Sequence, residues 1–205
     1  MKKNINQRRN YSSMNLKDAM QMIGRTNLIH WKIESENLEP SAHLQEDLRR
    51  LEYFDLQGSE PAKTLLIDTL LAEIVPRFEK LKVWKEVTIS TDTLTGVADY
   101  IMAPRRAYME TPLLCVVEAK KDDFEGGQAQ CLAEMVACKW TNEQSNSLID
   151  IFGVVSNGQG WQFYKLTASG EAFATDQYGL ENLPRILGVL DFICAACAKN
   201  VPSSQ

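Results

Sequence analysis

Two charged residues, Glu118 and Lys120, close the apolar run Leu113-Leu-Cys-Val-Val117, and a lone acid, Asp99, sits within Gly96-Val-Ala-Asp-Tyr-Ile-Met102. Carboxylates are hard oxygen donors suited to a divalent cation, and an ammonium group beside them suits a phosphate. On a strand, alternate side chains share a face. Leu114, Val116, Glu118 and Lys120 then project one way, and Leu113, Cys115, Val117 and Ala119 the other. Two charges ending the buried face of so apolar a strand are costly to desolvate alone. A metal ion with a phosphate would relieve that cost, and so would a plain ion pair at a strand end. Asp99 shares a face with Val97 and Ile101 and poses the same choice: a buried partner for a cation, or a polar strand end.

Two further residues join the candidates. Glu73 lies at i+3 from Leu70 and i+7 from Leu66, on the apolar stripe of a helical pattern, whereas Asp68 falls well round the helix from it. It could hold a second metal or a metal-bound water, or pair with a Lys or Arg at the helix rim. Gln130 stacks with Glu134 at i and i+4 on a later helix; Gln128 is the rival position if that helix begins late, and a surface glutamine needs no function. Lys80, Lys82, Lys85, Arg105 and Arg106 either border a substrate face or are solvated surface charges. Trp84 and Trp161 read as core or rim aromatics.

The elements that must position these residues are legible in outline. Asn15 can cap a helix from Leu16 toward Gly24, and Ser41 a second from His43 to Tyr53. Ser59-Glu-Pro61 opens a longer helix carrying Leu65, Leu66, Leu70, Ile74 and Phe78, with Pro76 near its end. Three strands follow, Val83–Ser90, Gly96–Met102 and Leu113–Lys120, separated by Thr91–Thr95 and Ala103–Arg106, as an antiparallel meander. Lys121–Gly127 reads as a turn into a helix over Gln128–Trp140. Leu148–Val155 and Trp161–Leu166 flank Ser156-Asn-Gly-Gln-Gly160, where Asn-Gly signals a hairpin. Asn182–Ala198 is a helix apolar nearly all round, which packs over the sheet or against a second copy.

The bulk numbers set limits. A chain of 205 residues, 44% hydrophobic, can bury one substantial core, so a single domain is expected: 1–58 as a flexible tail plus peripheral helices, 59–168 as core, 169–205 as a helical extension. A net charge of −5 argues against nonspecific coating of nucleic acid but permits a local basic groove. Lys2, Lys3, Arg8 and Arg9 form a basic tip, read as a solvated tail or a phosphate-gripping arm. No apolar stretch approaches the roughly 20 residues that span a bilayer, and the N-terminus lacks the apolar segment of a secretion signal. A soluble, cytoplasmic protein without a membrane partner is therefore expected. The five cysteines lie in apolar runs and read as reduced core thiols; Cys194-Ala-Ala-Cys197 has metal or redox spacing but sits inside a helical pattern.

The order is helix with Glu73, strand, strand with Asp99, strand with Glu118 and Lys120, helix with Gln130, then a hairpin. This chain resembles the PD-(D/E)XK nuclease superfamily, whose signature is an acid on one strand followed by Glu-x-Lys on the next. The match covers roughly residues 60 to 168. Val117-Glu-Ala-Lys-Lys-Asp-Asp-Phe-Glu-Gly-Gly-Gln-Ala-Gln-Cys-Leu-Ala-Glu134 and Ser156-Asn-Gly-Gln-Gly-Trp161 most resemble small bacterial relatives and the N-terminal nuclease region of type I restriction subunits. Ala98 stands where the family often has proline. The resemblance implies a three-layer α/β/α restriction-endonuclease-like core (α-β-β-β-α-β) with a mixed sheet and extra terminal helices. It implies Mg²⁺ or Mn²⁺ as cofactor and hydrolysis of DNA phosphodiester bonds through a metal-activated water. Asp99, Glu118 and Glu73 would serve as metal-binding acids, with Lys120 and Gln130 completing the catalytic set. The alternative is a catalytically silent member that binds nucleic acid or protein. A homodimer through the C-terminal helix is a further expectation.

Overall fold

The computed structural model describes residues 8–56, 58, 60–120 and 124–202. Lys2 and Lys3 of the basic tip, the capping Ser59, and Lys121-Asp-Asp123 of the expected turn lie outside the described residues.

In chain order the elements are β1 (Arg9–Asn10), α1 (Leu16–Ile23), β2 (Ile29–His30), α2 (Ala42–Leu51), α3 (Glu60–Ile74), β3 (Leu81–Ser90), β4 (Leu94–Pro104), β5 (Cys115–Ala119), α4 (Phe124–Gln144), β6 (Ile151–Ser156), β7 (Gly160–Leu166), β8 (Ala172–Ala174), β9 (Tyr178–Gly179) and α5 (Leu183–Lys199). Local chemistry accounts for several boundaries. The Asn15 side chain accepts from Asp18 N–H to start α1, and Gly24 ends it at a left-handed φ of 75°. The Ser41 hydroxyl accepts from Leu44 N–H to start α2.

One mixed sheet organises the chain. Its centre runs β3-β4-β5-β6-β7, with β3, β4 and β5 antiparallel in succession, β6 parallel to β5 across the α4 crossover, and β7 returning antiparallel. The short strands extend this frame: β8 and β9 pair with β7, β2 with β8, and β1 with β4. The expected meander and hairpin are present. The β3–β4 connection is tighter than the sequence suggests, because the Thr91 hydroxyl accepts from both Thr93 and Leu94 N–H and closes the turn within three residues.

Helices cover both faces of the sheet, so the architecture is three-layer α/β/α. On one face, α3 and α5 bury Leu66, Leu70, Ile74, Ile186, Leu190 and Ile193 against Tyr100, Met102, Val117 and Val154. On the other, α4 and α1 bury Leu132, Met135, Ala19 and Met20 against Ile89, Ile101, Val116 and Val155. The N-terminal region is less peripheral than expected: Tyr11 is fully buried, and its hydroxyl donates to the Ile89 carbonyl at 2.8 Å. Likewise α5 is built into the core. Gly188 lets it press on the chain before α2, since a Cβ there would lie 2.0 Å from the Glu36 carbonyl oxygen.

Strand β5 begins at Cys115, two residues later than expected. Cys115, Val117 and Ala119 face α3 and α5, and Val116 faces α4, as alternation requires. Leu113 and Leu114 precede the strand, so Leu114 joins the Cys115 face and not that of Val116. No helix among the described residues is long and apolar enough to cross a membrane.

Candidate metal and phosphate site

The site grows from the register of β4 on β5. Tyr100 pairs with Val117 and Ile101 with Val116, and continuing one step sets Asp99 opposite Glu118. There the backbone ladder gives way to a side chain: Ala119 N–H donates to Asp99 Oδ2 at 2.8 Å. The next amide, Lys120 N–H, points the other way and donates to the Ser156 carbonyl of β6 at 2.9 Å. A residue in a strand directs its N–H and C=O to the same side, so strand geometry turns the Ala119 carbonyl toward Asp99.

Glu118 is 1% exposed and projects beneath α4, where its Oε1 lies 2.7 Å from Lys120 Nζ. Lys120 also donates to Gln130 Oε1 at 3.0 Å, and Gln130 Nε2 donates to Glu134 Oε1 at 3.0 Å. Gly127 makes the approach of Lys120 possible: a Cβ at that position would stand 2.6 Å from Lys120 Cγ and 2.9 Å from Val155 Cγ1. Glycine lowers helix propensity, so its presence in the first turn of α4 is explained by this close contact. On the outer strand the same register sets Glu86 level with Asp99, but its φ of 52° takes it out of the ladder between Lys85 and Val87, and its side chain is exposed.

Four of the five expected residues are thus gathered: Asp99, Glu118, Lys120 and Gln130. Gln128, the rival position, lies beside Tyr164 and is not the glutamine on Lys120. Glu73 is a correction. Its two carboxylate oxygens accept from Ser41 N–H at 3.1 Å and Ser41 Oγ at 2.9 Å, anchoring the start of α2. Glu73 also lies about 15 Å further along α3 than Lys63, which packs near Gly158 of the β6–β7 turn. The apolar stripe put Glu73 on the inner side, but a helix cap answers its charge there.

Glu134 is the residue that sequence reasoning left without a role. It is fully buried, and its Oε2 has no hydrogen-bond partner among the described residues. Burial first, and then the nearby charge of Glu118, push its pKa well above the usual carboxylate range. The signal was present as the i, i+4 spacing from Gln130, and Gly126-Gly127 in the first turn of the helix marked the close approach.

The other candidates have ordinary surroundings. Lys85 pairs with Asp68 at 2.8 Å, Lys82 lies 3.8 Å over the Trp84 ring, and Arg106 pairs with Glu110 at 3.0 Å. Lys82, Lys85 and Arg105 line a groove of about 440 Å³ between α3 and β3, floored by Leu71, Val75 and Phe78. Trp161 is wholly buried, its indole N–H donating to the Gly158 carbonyl. All five cysteines are free and buried; Cys194 lies 4.0 Å from Met102 Sδ, and its thiol is pushed up to about 12 by burial.

The donor chemistry suits a hard cation. Asp99, Glu118 and the Ala119 carbonyl offer oxygens of the kind Mg²⁺ or Mn²⁺ takes, with water completing the shell. No three His, Cys, Asp or Glu side chains among the described residues form a metal-holding group, so such an ion would rest on two carboxylates and backbone oxygen. No protein-family model matches the chain, and no curated protein matches it.

Proposed function

We propose that this chain is a metal-dependent nuclease of the PD-(D/E)XK type that hydrolyses DNA phosphodiester bonds. The observation that carries the reading is the convergence of Asp99, Glu118 and Lys120 where the β4–β5 ladder ends, with Ala119 N–H on Asp99 and Lys120 Nζ on Glu118. In this reading Asp99, Glu118 and the Ala119 carbonyl hold Mg²⁺ or Mn²⁺. The ion, when bound, supplies Lewis-acid activation of water and charge stabilisation at the phosphate. Lys120 faces the scissile phosphate and donates to a non-bridging oxygen, where negative charge grows as water adds to phosphorus and the ester bond breaks. Gln130 holds the ammonium in place. Burial of Glu118 beneath α4 excludes bulk water from one side of the site and strengthens each of these interactions.

A cytoplasmic location fits five buried, reduced thiols. The second reading, a catalytically silent scaffold, is favoured by the closed ion pair itself, since Lys120 already occupies Glu118 Oε1. Plasmid and single-stranded DNA incubated with Mg²⁺ or Mn²⁺ separate the two. Cleavage by the wild-type chain is expected, with a loss of at least about a hundredfold in Lys120→Ala. Cleavage by that variant at an unchanged rate would sink the mechanism. Intact DNA in every reaction, together with no Mn²⁺ binding lost in Asp99→Asn, would establish the scaffold.

A further inference from the structure

We propose that Glu134 is a positioning residue that sets the orientation of Lys120 through the side-chain amide of Gln130; the role rests on the reading of Lys120 as the phosphate-facing group. An ammonium can only donate, so Lys120 Nζ requires the carbonyl end of the amide, Gln130 Oε1, at 3.0 Å. That choice leaves the amide nitrogen of Gln130 facing Glu134, which must accept, and its Oε1 does so at 3.0 Å. A donor at one end of the relay and an acceptor at the other therefore select one of the two amide orientations.

The placement of an acid here needs such a reason. Glu134 is fully exposed to the cost of desolvation, being 0% solvent-accessible, and its second oxygen has no partner among the described residues. An apolar side chain of similar volume would fill the space between α4 and the sheet without that cost. Acids, thiols and one phenol face it: Glu118 and Asp99 from the strands, Tyr11 from the N-terminal turn, Cys131 and Cys138 from its own helix, with Lys120 as the cation. Glu134 Oε1 supplies the acceptor that the far end of the Gln130 amide needs, inside a space closed to water. Removing it leaves the Gln130 amide nitrogen without its acceptor, so the amide is free to turn away from the ammonium, and Lys120 then shifts toward Glu118.

The test reads position directly, in metal-free, ¹⁵N-labelled protein. In Glu134→Leu the Gln130 side-chain amide protons should exchange with solvent at least about tenfold faster, and the Lys120 Nζ resonance should move. Glu134→Gln, which keeps an acceptor in place, should restore both. Unchanged Gln130 and Lys120 signals in a folded Glu134→Leu protein would overturn the proposal and leave Glu134 as a packing residue. If that variant does not fold, Gln130→Leu decides: a shifted Lys120 resonance supports the relay and an unchanged one overturns it. Cleavage kinetics supply a second reading, with kcat in Glu134→Leu lowered roughly tenfold at little change in KM and recovered in Glu134→Gln. Failure of the wild-type chain to cut DNA would remove the nuclease reading and leave the spectroscopic result on Glu134 standing.

Discussion

Lys120 depends on a side chain that is missing. Its aliphatic stem lies where a Cβ on residue 127 would be, so Gly127 is as much a part of the site as the groups that carry charge. Replacing Gly127 with alanine would favour helix by up to about 1 kcal/mol and oppose it by the 2.6 Å contact with Lys120 Cγ. We expect Gly127→Ala to stay within about 1 kcal/mol of wild-type stability while DNA cleavage falls about tenfold through a displaced ammonium. Urea unfolding and cleavage rates measured together check this, and normal cleavage would mean that the stem finds another path.

Between elements, the important joint is the entry to β5. Asn142, near the end of α4, accepts from Leu113 N–H and donates to the Leu113 carbonyl, both at 2.7 Å and all buried. One side chain thus satisfies both backbone groups of the residue that leads into the strand carrying Glu118. Asn142→Ala would orphan the pair, costing about 2–4 kcal/mol, and a matching drop in the urea midpoint is the expected result. Glu73 works in a similar way on α2 through Ser41. A polar residue on an inner helix face therefore marks a joint as readily as a site, and spacing along one helix cannot separate the two.

For the molecule as a whole, burial of proton-bearing groups gives stability a direction with pH. The thiols of Cys115, Cys131, Cys138, Cys194 and Cys197 and the phenols of Tyr11, Tyr100 and Tyr164 all have pKa values raised by burial. The folded chain keeps these protons while the unfolded chain releases them near the ordinary values of 9.0 and 10.0. Their stabilisation is complete below those values and is lost as pH rises above them. Thermal unfolding with reductant present should show a lower Tm at about pH 10 than at about pH 7; an equal or higher value would contradict the assigned burial. The same packing bears on self-association. The apolar character of α5 is spent within the chain, and Phe192, 38% exposed, is the one large apolar side chain of that helix left outward among the described residues.

The sequence alone determined which segments would be strands and helices around the site, because alternation, capping residues and the Asn-Gly turn are local signals. It also determined that Glu118 and Lys120 close an apolar strand and that Asp99 lies between aliphatic residues of its own face, where charge is costly. Which partners answer those charges was decided by tertiary structure. Asp99 and Glu118 are 19 positions apart in the chain, and only the β4–β5 register sets them side by side. Glu73 and Glu134 both lie inward on helices with the same apparent chemistry. The packing of α2 on α3 gives Glu73 a serine, and the packing of α4 on the sheet gives Glu134 a glutamine in a buried site beside Glu118. Local pattern specifies the face a side chain occupies; its partner is set by the long-range contact that covers that face.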